Sequence, residues 1–272
     1  MSKTALEETF GVKIPVIGVV HLLPLPGSPR YDGTSVREIA EQAIKEARIM
    51  AEEGINGIII ENFRDNPFLK KVGPETVAAM TYIASRVKEN VSVPIGLCVL
   101  QSDGIAAVAI SKSVEASFIR VPYYTETYVV DTGLMDSIAG ELQRYKKNLG
   151  CDVKVLADVH IKHGYPLAQR NIEYSAEDAY YRGSADAIII TGRKTGGETR
   201  IEDVKTVREA LPEIPIIVGS GVNAENVEKY FPFVDGIIVG TSLKKRGITE
   251  EEVDPKRVRE LMSKVEKYRS KI

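Results

Sequence analysis

The chain has 272 residues and a formal net charge of -2, with 36 Lys and Arg against 38 Asp and Glu. Charges this evenly balanced exclude a general polyanion-binding surface, so nucleic acid is not expected as a partner. Two cysteines, Cys98 and Cys151, each beside an apolar run, exclude a disulfide framework. No apolar run approaches the roughly 20 residues that cross a bilayer, and the opening MSKTALEETFGVKIP has no signal-peptide core. A cytoplasmic protein is therefore expected, and its length suits one large α/β domain.

In chain order, strand and helix patterns alternate. After an N-terminal extension over 1–15, the first strand is read at 16–22 (VIGVVHL), with the loop LPLPGSPRYDG behind it. A helix capped by Thr34 or Ser35 follows to Glu53, with apolar residues at helical spacing. The second strand is 57–62 (GIIIEN), followed by a helix over 74–88. The third is 94–100, and Asp103 or Ser102 caps the helix after it. The fourth strand is 118–122, followed by a long loop, YYTETYVVDTG, and a helix over 134–148.

The fifth strand is a short apolar one that opens the stretch VKVLADVHIKHG (153–164) and runs into Asp158, His160, Lys162 and His163, and a helix follows near 176–181. The sixth is 187–192, with the loop RKTGGETR and a helix over 201–210. The seventh is 215–221, with a short helix from Asn223; the eighth is 236–241, and a charged amphipathic helix over 255–271 closes the chain. Near-continuous apolar strands in eight strand-then-helix units predict a parallel sheet buried on both faces. Eight such units close a (β/α)8 TIM barrel. An open doubly wound sheet is the competitor, but no Gly-x-Gly-x-x-Gly follows the first strand. No composition break marks a linker, so the expectation is a single domain over 1–272.

Turns from helix back to strand are short and plain, whereas the connections leaving most strands are long and rich in polar, Gly and Pro residues. Barrels of this kind carry their sites at that end. All three histidines, His21, His160 and His163, fall there, as do Glu61, Asn62, Gln101, Asp103, Arg120, Asp158, Lys162 and Thr191. Because alternate strand residues share a face, Asp158 and His160 are expected together, with Lys162 joining them if the strand persists. Glu61, Asp158, His160 and His21 then form a carboxylate and imidazole cluster suited to acid/base catalysis. A divalent metal is the alternative use of that cluster, although no spacing such as His-Glu-x-x-His specifies one.

Lys162 belongs to the same candidate group. A lysine with a lowered pKa forms Schiff bases with carbonyl substrates; its place beyond the strand points instead to a screened amine on a loop. The aromatic residues Tyr123, Tyr124 and Tyr128 fit a pocket wall, a lid or a subunit contact equally well.

A second signal is Gly219, Ser220 and Gly221 after the seventh strand, matched by Gly240, Thr241 and Ser242 after the eighth. Glycines let backbone N–H groups approach an anion, hydroxyls add donors, and a following helix N-terminus adds partial positive charge. These two loops are where such barrels hold phosphate. Lys244, Lys245 and Arg246 are further cations nearby.

The segments VIGVVHLLPLPGSPRYDG, GIIIENFRDNPF and LADVHIKH, with the pair VGSGVN and VGTSLK, resemble the BtpA family. Its cyanobacterial members are linked to photosystem I biogenesis, and it includes SgcQ-like bacterial proteins. The resemblance runs from about Phe10 to the final helix. It implies a ribulose-phosphate-binding type of barrel and supplies no catalytic residues to carry over.

Two functions follow as expectations. One is an enzyme, a lyase, isomerase or glycosidic-bond hydrolase, acting on a small phosphorylated ligand such as a sugar phosphate or nucleotide-derived metabolite. The other is a non-catalytic assembly or stability factor acting through its surface, with peripheral membrane association. A homo-oligomer is expected in either case. The charged cluster beside a phosphate cradle favours the enzyme, since a scaffold has no use for it. On that reading Asp158→Asn or His160→Ala abolishes turnover with little loss of stability.

Overall fold

The computed structural model describes residues 3–192 and 195–272, so Arg193 and Lys194 of the expected RKTGGETR loop lie outside the described residues. The eight expected strands are present, most of them trimmed by one to three residues at their ends and the fifth stopping at Val159. They are β1 (Val16–His21), β2 (Gly57–Glu61), β3 (Ile95–Cys98) and β4 (Phe118–Val121), then β7 (Lys154–Val159), β9 (Ala187–Ile190), β10 (Ile216–Val218) and β11 (Gly236–Val239). They pair in parallel and close as β1-β11-β10-β9-β7-β4-β3-β2. The fold is a (β/α)8 TIM barrel.

Alternation along each strand sorts the core in two. Outward residues such as Ile58, Ile60 and Val155 pack beneath the helices in one large cluster. Inward residues, among them Ile17, Val19, Ile59, Phe118, Leu156, Ile189, Ile217 and Ile238, fill the barrel. Helix α1 (Ala5–Phe10) plugs the N-terminal mouth, a role not visible in what reads as an extension. A reciprocal capping box between Thr4 and Glu7 starts it. Its Leu6 and Phe10 join the interior cluster, with the Phe10 and Phe118 rings edge-on at 5.2 Å. Gly57 makes room, because a Cβ there would stand 2.4 Å from Phe10 Cε1. With that mouth filled by hydrocarbon, polar chemistry is left to the other.

The flanking helices are α2 (Val36–Glu52), α3 (Pro74–Lys88), α4 (Gly104–Val114), α5 (Ala139–Asn148), α6 (Ile172–Glu177), α7 (Ile201–Ala210) and α8 (Pro255–Arg269). Of the alternative caps, Ser35 starts α2 through a box with Glu38, and Asp103 caps α4. Among the described residues no helix is long and apolar enough to cross a membrane.

Three expected elements are corrected. The helix placed over 134–148 starts only at Ala139, and the stretch before it folds as an antiparallel pair, β5 (Tyr128–Val130) and β6 (Gly133–Met135). Its β-branched valines and the Asp131-Thr132-Gly133 turn, with Gly133 at φ +97°, favour the hairpin. The loop His163 to Pro166 adds β8 (Gly164–Pro166) on the other side of β5. The resulting three-stranded sheet rims the carboxyl mouth, its inner face packing Tyr128 and Met135 against Tyr123 and Ile161. The helix near 176–181 begins at Ile172 and ends in a π-helical turn over Asp178–Arg182. The helix expected from Asn223 is a pair of 3₁₀ turns, Val227–Lys229 and Phe231–Phe233.

Candidate functional site

At the carboxyl end the inward positions stop being apolar. His21 and Glu61 are direct partners across β1 and β2, and Glu61 is paired in turn with Cys98 on β3. Arg120 and Asp158 occupy inward positions on β4 and β7, and all four charged or imidazole side chains are buried.

Arg120 organises them. Its Nε and one terminal nitrogen reach the two oxygens of Asp158 at 2.8 and 2.9 Å, a bidentate pair. Its other terminal nitrogen is 3.7 Å from Glu61 Oε2. Burial works against the guanidinium charge, but Asp158 and Glu61 outweigh it and raise the pKa above its ordinary value. The guanidinium thus stands where a divalent cation shared by Glu61 and Asp158 would have to sit. Among the described residues no three His, Cys, Asp or Glu side chains group as metal ligands.

Glu61 is left with one oxygen 4.0 Å from His21 Nε2. Burial first, and then the charges of Lys244 and Lys162, push the His21 pKa well below the ordinary value, so the imidazole is neutral. Its Nδ1 is buried without a hydrogen-bond partner among the described residues, and its ring lies 4.8 Å from that of Phe63. Cys98 sits beneath, its thiol pushed up by burial and then by Glu61, so it stays protonated.

Beyond β7 the chain leaves the strand conformation. His160 and His163 adopt left-handed backbone angles, φ +46° and +63°, which ends the alternation that would have put His160 beside Asp158. His160 turns away, its Nε2 3.1 Å from Ser175 Oγ. It lines an adjoining groove with Gly164, Arg200 and Asp203, which shares Lys162 and His163 with the cleft but does not bring His160 into it. Lys162 turns inward although the strand has ended. Its backbone N–H donates to Thr191 Oγ1 at 3.3 Å and its Nζ lies 3.4 Å from Ser220 Oγ. Burial, and then Arg120, lower its pKa, partly opposed by Glu61 and Asp158. The amine is therefore not the screened group expected of a loop residue.

Two lobes meet over this cluster. A cavity of about 220 Å³ is lined by Ser220, Gly221, Gly240, Thr241, Ser242 and Arg257 together with His21, Glu61, Arg120 and Lys162. A second, of about 440 Å³, is lined by Phe63, Phe68, Leu100, Tyr123, Ile161 and His163 and shares Glu61, Arg120 and Lys162 with the first. The cleft is thus polar at the β10 and β11 side and largely apolar at the other.

In the polar lobe the hydroxyl of Ser242 donates to the Val222 carbonyl at 2.6 Å, and that of Thr241 pairs with Thr249 at 2.8 Å. Both are tied into the loops. Among the described residues the backbone N–H groups of Ser220, Gly221, Thr241 and Ser242 donate to no other protein atom. They are what remains for an anion. Ser220 and Gly221 both have φ +65°. A Cβ at Gly221 would stand 2.5 Å from the Glu198 backbone, so glycine is required there. Gly219 lies against the barrel interior, where a Cβ would meet Ile189 and Thr191 at 3.5 Å. Gly240 clears space for the His21 ring, 2.8 Å from its would-be Cβ.

The sequence profile of the BtpA family matches residues 12–267. The chain belongs to the BtpA family. An uncharacterized protein of Archaeoglobus fulgidus is 45% identical over 91% of this chain and 96% of its own. The photosystem I biogenesis protein BtpA of a Synechocystis strain is 42% identical over 93% of this chain and 88% of its own. Among solved structures, N-(5'-phosphoribosyl)anthranilate isomerase from Pyrococcus furiosus has a TM-score of 0.56 at 18% identity, covering 93% of this chain and 99% of that one. That likeness is one of fold.

In this BtpA-family barrel, then, eight of the expected site residues line one cleft, His21, Glu61, Lys162, Ser220, Gly221, Gly240, Thr241 and Ser242, while Asp158 is buried behind Arg120 and Gly219 lies against the barrel interior. His160 does not line it. Among the described residues no α-helix N-terminus backs the polar loops, since 3₁₀ turns follow both β10 and β11. The basic run places no side chain in the lining of the polar lobe. Lys244 is fully buried against Glu46 at 2.5 Å, while Lys245 pairs with Glu252 and Arg246 with Glu251. Besides Arg120 and Lys162, the cation that reaches the lobe is Arg257, held by its Nε donating to the Ser242 carbonyl at 2.6 Å. Nothing in the local sequence of an amphipathic helix separates it from its surface neighbours. Of the three tyrosines, Tyr123 lines the apolar lobe, Tyr124 donates to the Gly183 carbonyl, and Tyr128 packs inside the rim sheet.

Proposed function

We propose that this BtpA-family barrel is an enzyme acting on a small phosphorylated metabolite, a sugar phosphate or nucleotide-derived compound, by acid/base chemistry. The observation that carries the reading is the continuity of one cleft. Backbone donors without a partner among the described residues and Arg257 line one lobe, mainly apolar surface lines the other, and Glu61, Arg120 and Lys162 stand where they meet. A phosphate at Ser220, Gly221, Thr241 and Ser242 would set the rest of the substrate over Glu61. That carboxylate accepts the proton, neutral His21 hydrogen-bonds beside it, and the fixed guanidinium of Arg120 balances developing negative charge.

In this scheme Asp158 holds Arg120 in place, and neither Asp158 nor His160 moves a proton. A ligand that binds only the folded barrel raises its melting temperature by mass action, so a screen of phosphorylated metabolites tests the reading. Glu61→Gln should keep the ligand-induced shift and lose turnover of the compound so found. A panel in which no phosphorylated compound shifts the melting temperature would count against the proposal.

The same proposal takes the protein to be a cytoplasmic homo-oligomer. On the outer face of the rim sheet Leu134, Val129 and Tyr165 stand opposite one another across three strands, 49, 44 and 78% exposed. Such an apolar row is suited to a second copy of the chain. Sedimentation should give an oligomer for the wild type and a smaller species for a Val129→Ser, Leu134→Ser, Tyr165→Ser variant; an unchanged wild-type monomer would refute it.

A further inference from the structure

Lysines inside this protein are treated in two ways. Lys244 is fully buried and paired with Glu46 at 2.5 Å, outside the lining of both lobes. Lys162 brings its amine to the junction of two cavities and is given no carboxylate: among the described residues its Nζ forms no ion pair, and its one hydrogen bond is the 3.4 Å contact with Ser220 Oγ. A permanent cation is not lacking at that place, because Arg120 and Arg257 line the same lobe. A second or third fixed charge would add little to anion binding. A primary amine whose pKa is lowered by burial and then by Arg120 can do something a guanidinium does not: on losing its proton it presents a lone pair.

We propose that Lys162 is a catalytic residue that forms an imine with the carbonyl carbon of a phosphorylated ketone or aldehyde. The inference rests on the phosphate-lobe reading above and names the substrate class of that site. Because the amine lies 3.4 Å from Ser220, a phosphate seated on the β10 and β11 loops puts the reactive carbonyl within a few bonds of the ester oxygen. The substituent on the far side of the carbonyl extends into the lobe of Phe63, Phe68 and Leu100.

The step balances without a further reagent. The nitrogen lone pair forms the C–N bond as the carbonyl π pair moves onto oxygen, giving a carbinolamine. Both protons of the amine leave with that oxygen as one water, moved by the Glu61 carboxylate that lines both lobes. The C=N bond that remains is an electron sink for breaking or making a bond at the adjacent carbon. Water returns the amine by the reverse path. Cys98 is no rival nucleophile, since its thiol stays protonated beneath Glu61.

The test is reductive trapping. The protein is incubated with dihydroxyacetone phosphate and sodium borohydride, which reduces an imine irreversibly to a secondary amine, and the intact mass and peptide map are read. The expected result is one adduct, on the peptide containing Lys162, suppressed by excess inorganic phosphate and absent from Lys162→Arg and Lys162→Met variants that melt cooperatively. Adduct spread over surface lysines, or undiminished in those variants, would overturn the proposal. If phosphorylated compounds raise the melting temperature but none of a series of phosphorylated ketones and aldehydes is trapped on Lys162, the imine falls and the phosphate lobe stands. Failure of both binding and trapping removes the two together.

Discussion

Arg120 and Asp158 fix the electrostatics of the cleft at the level of single residues. Removing one partner of a buried pair leaves the other charge uncompensated, at a cost of about 3–5 kcal/mol. Asp158→Asn is therefore expected to lower stability by that order in urea unfolding, as well as to disturb the site. This reverses the expectation drawn from the sequence, where Asp158 reads as a free acid/base group whose loss is structurally cheap. The ion pair could not be read from the chain, because Arg120 and Asp158 are 38 residues apart and the register joining β4 to β7 is set only by closure of the barrel.

His21 makes a pH prediction with a definite sign. Its pKa in the folded state is well below the ordinary value, so the unfolded chain binds more protons at mildly acid pH. The associated stability is complete above the unfolded value of about 6.5 and is lost as pH falls below it. His160 and His163 are lowered too and act in the same direction. Unfolding free energy measured between neutral and mildly acid pH should fall toward acid, and the slope should be shallower in His21→Asn. A slope unchanged by that substitution would mean that the neutral imidazole contributes nothing.

Elements show where pattern reading succeeds and where it stops. Strands such as GIIIE and AIII, buried on both faces, and helices opened by Ser35 and Asp103 carry their own signals, and they fold where those signals place them. The rim sheet does not announce itself. Tyr128–Val130 finds its strand partner Gly164–Pro166 from more than 30 residues away, and the start of the expected helix over 134–148 gives way to the β5–β6 hairpin. Helix α1 is equally silent, since its apolar face has meaning only against the inside of a barrel. Phe10→Ala should cost about 3–5 kcal/mol as the cavity under Phe118 opens. Measured by thermal or chemical unfolding, a loss well below 1 kcal/mol would show that the plug does not hold the base.

Over the whole molecule, the barrel and the end that carries its chemistry were legible because strand number and loop length are local properties of the chain. The cleft itself was legible only in part. His21, Glu61 and the loops after β10 and β11 are placed by strand alternation and strand order. Lys162 and His160 exchange their expected roles because two left-handed residues beyond Val159 break that alternation, and Arg257 arrives from a helix with no local mark.

The central claim is that one cleft holds phosphate at its polar lobe. Calorimetric titration of a phosphorylated compound and its dephosphorylated counterpart into the wild type and a folded Ser220→Asp variant tests it directly. The expected result is binding of the phosphorylated compound by the wild type alone, with neither the dephosphorylated compound nor the variant giving heat. Equal binding of both compounds, or full binding by Ser220→Asp, would contradict it.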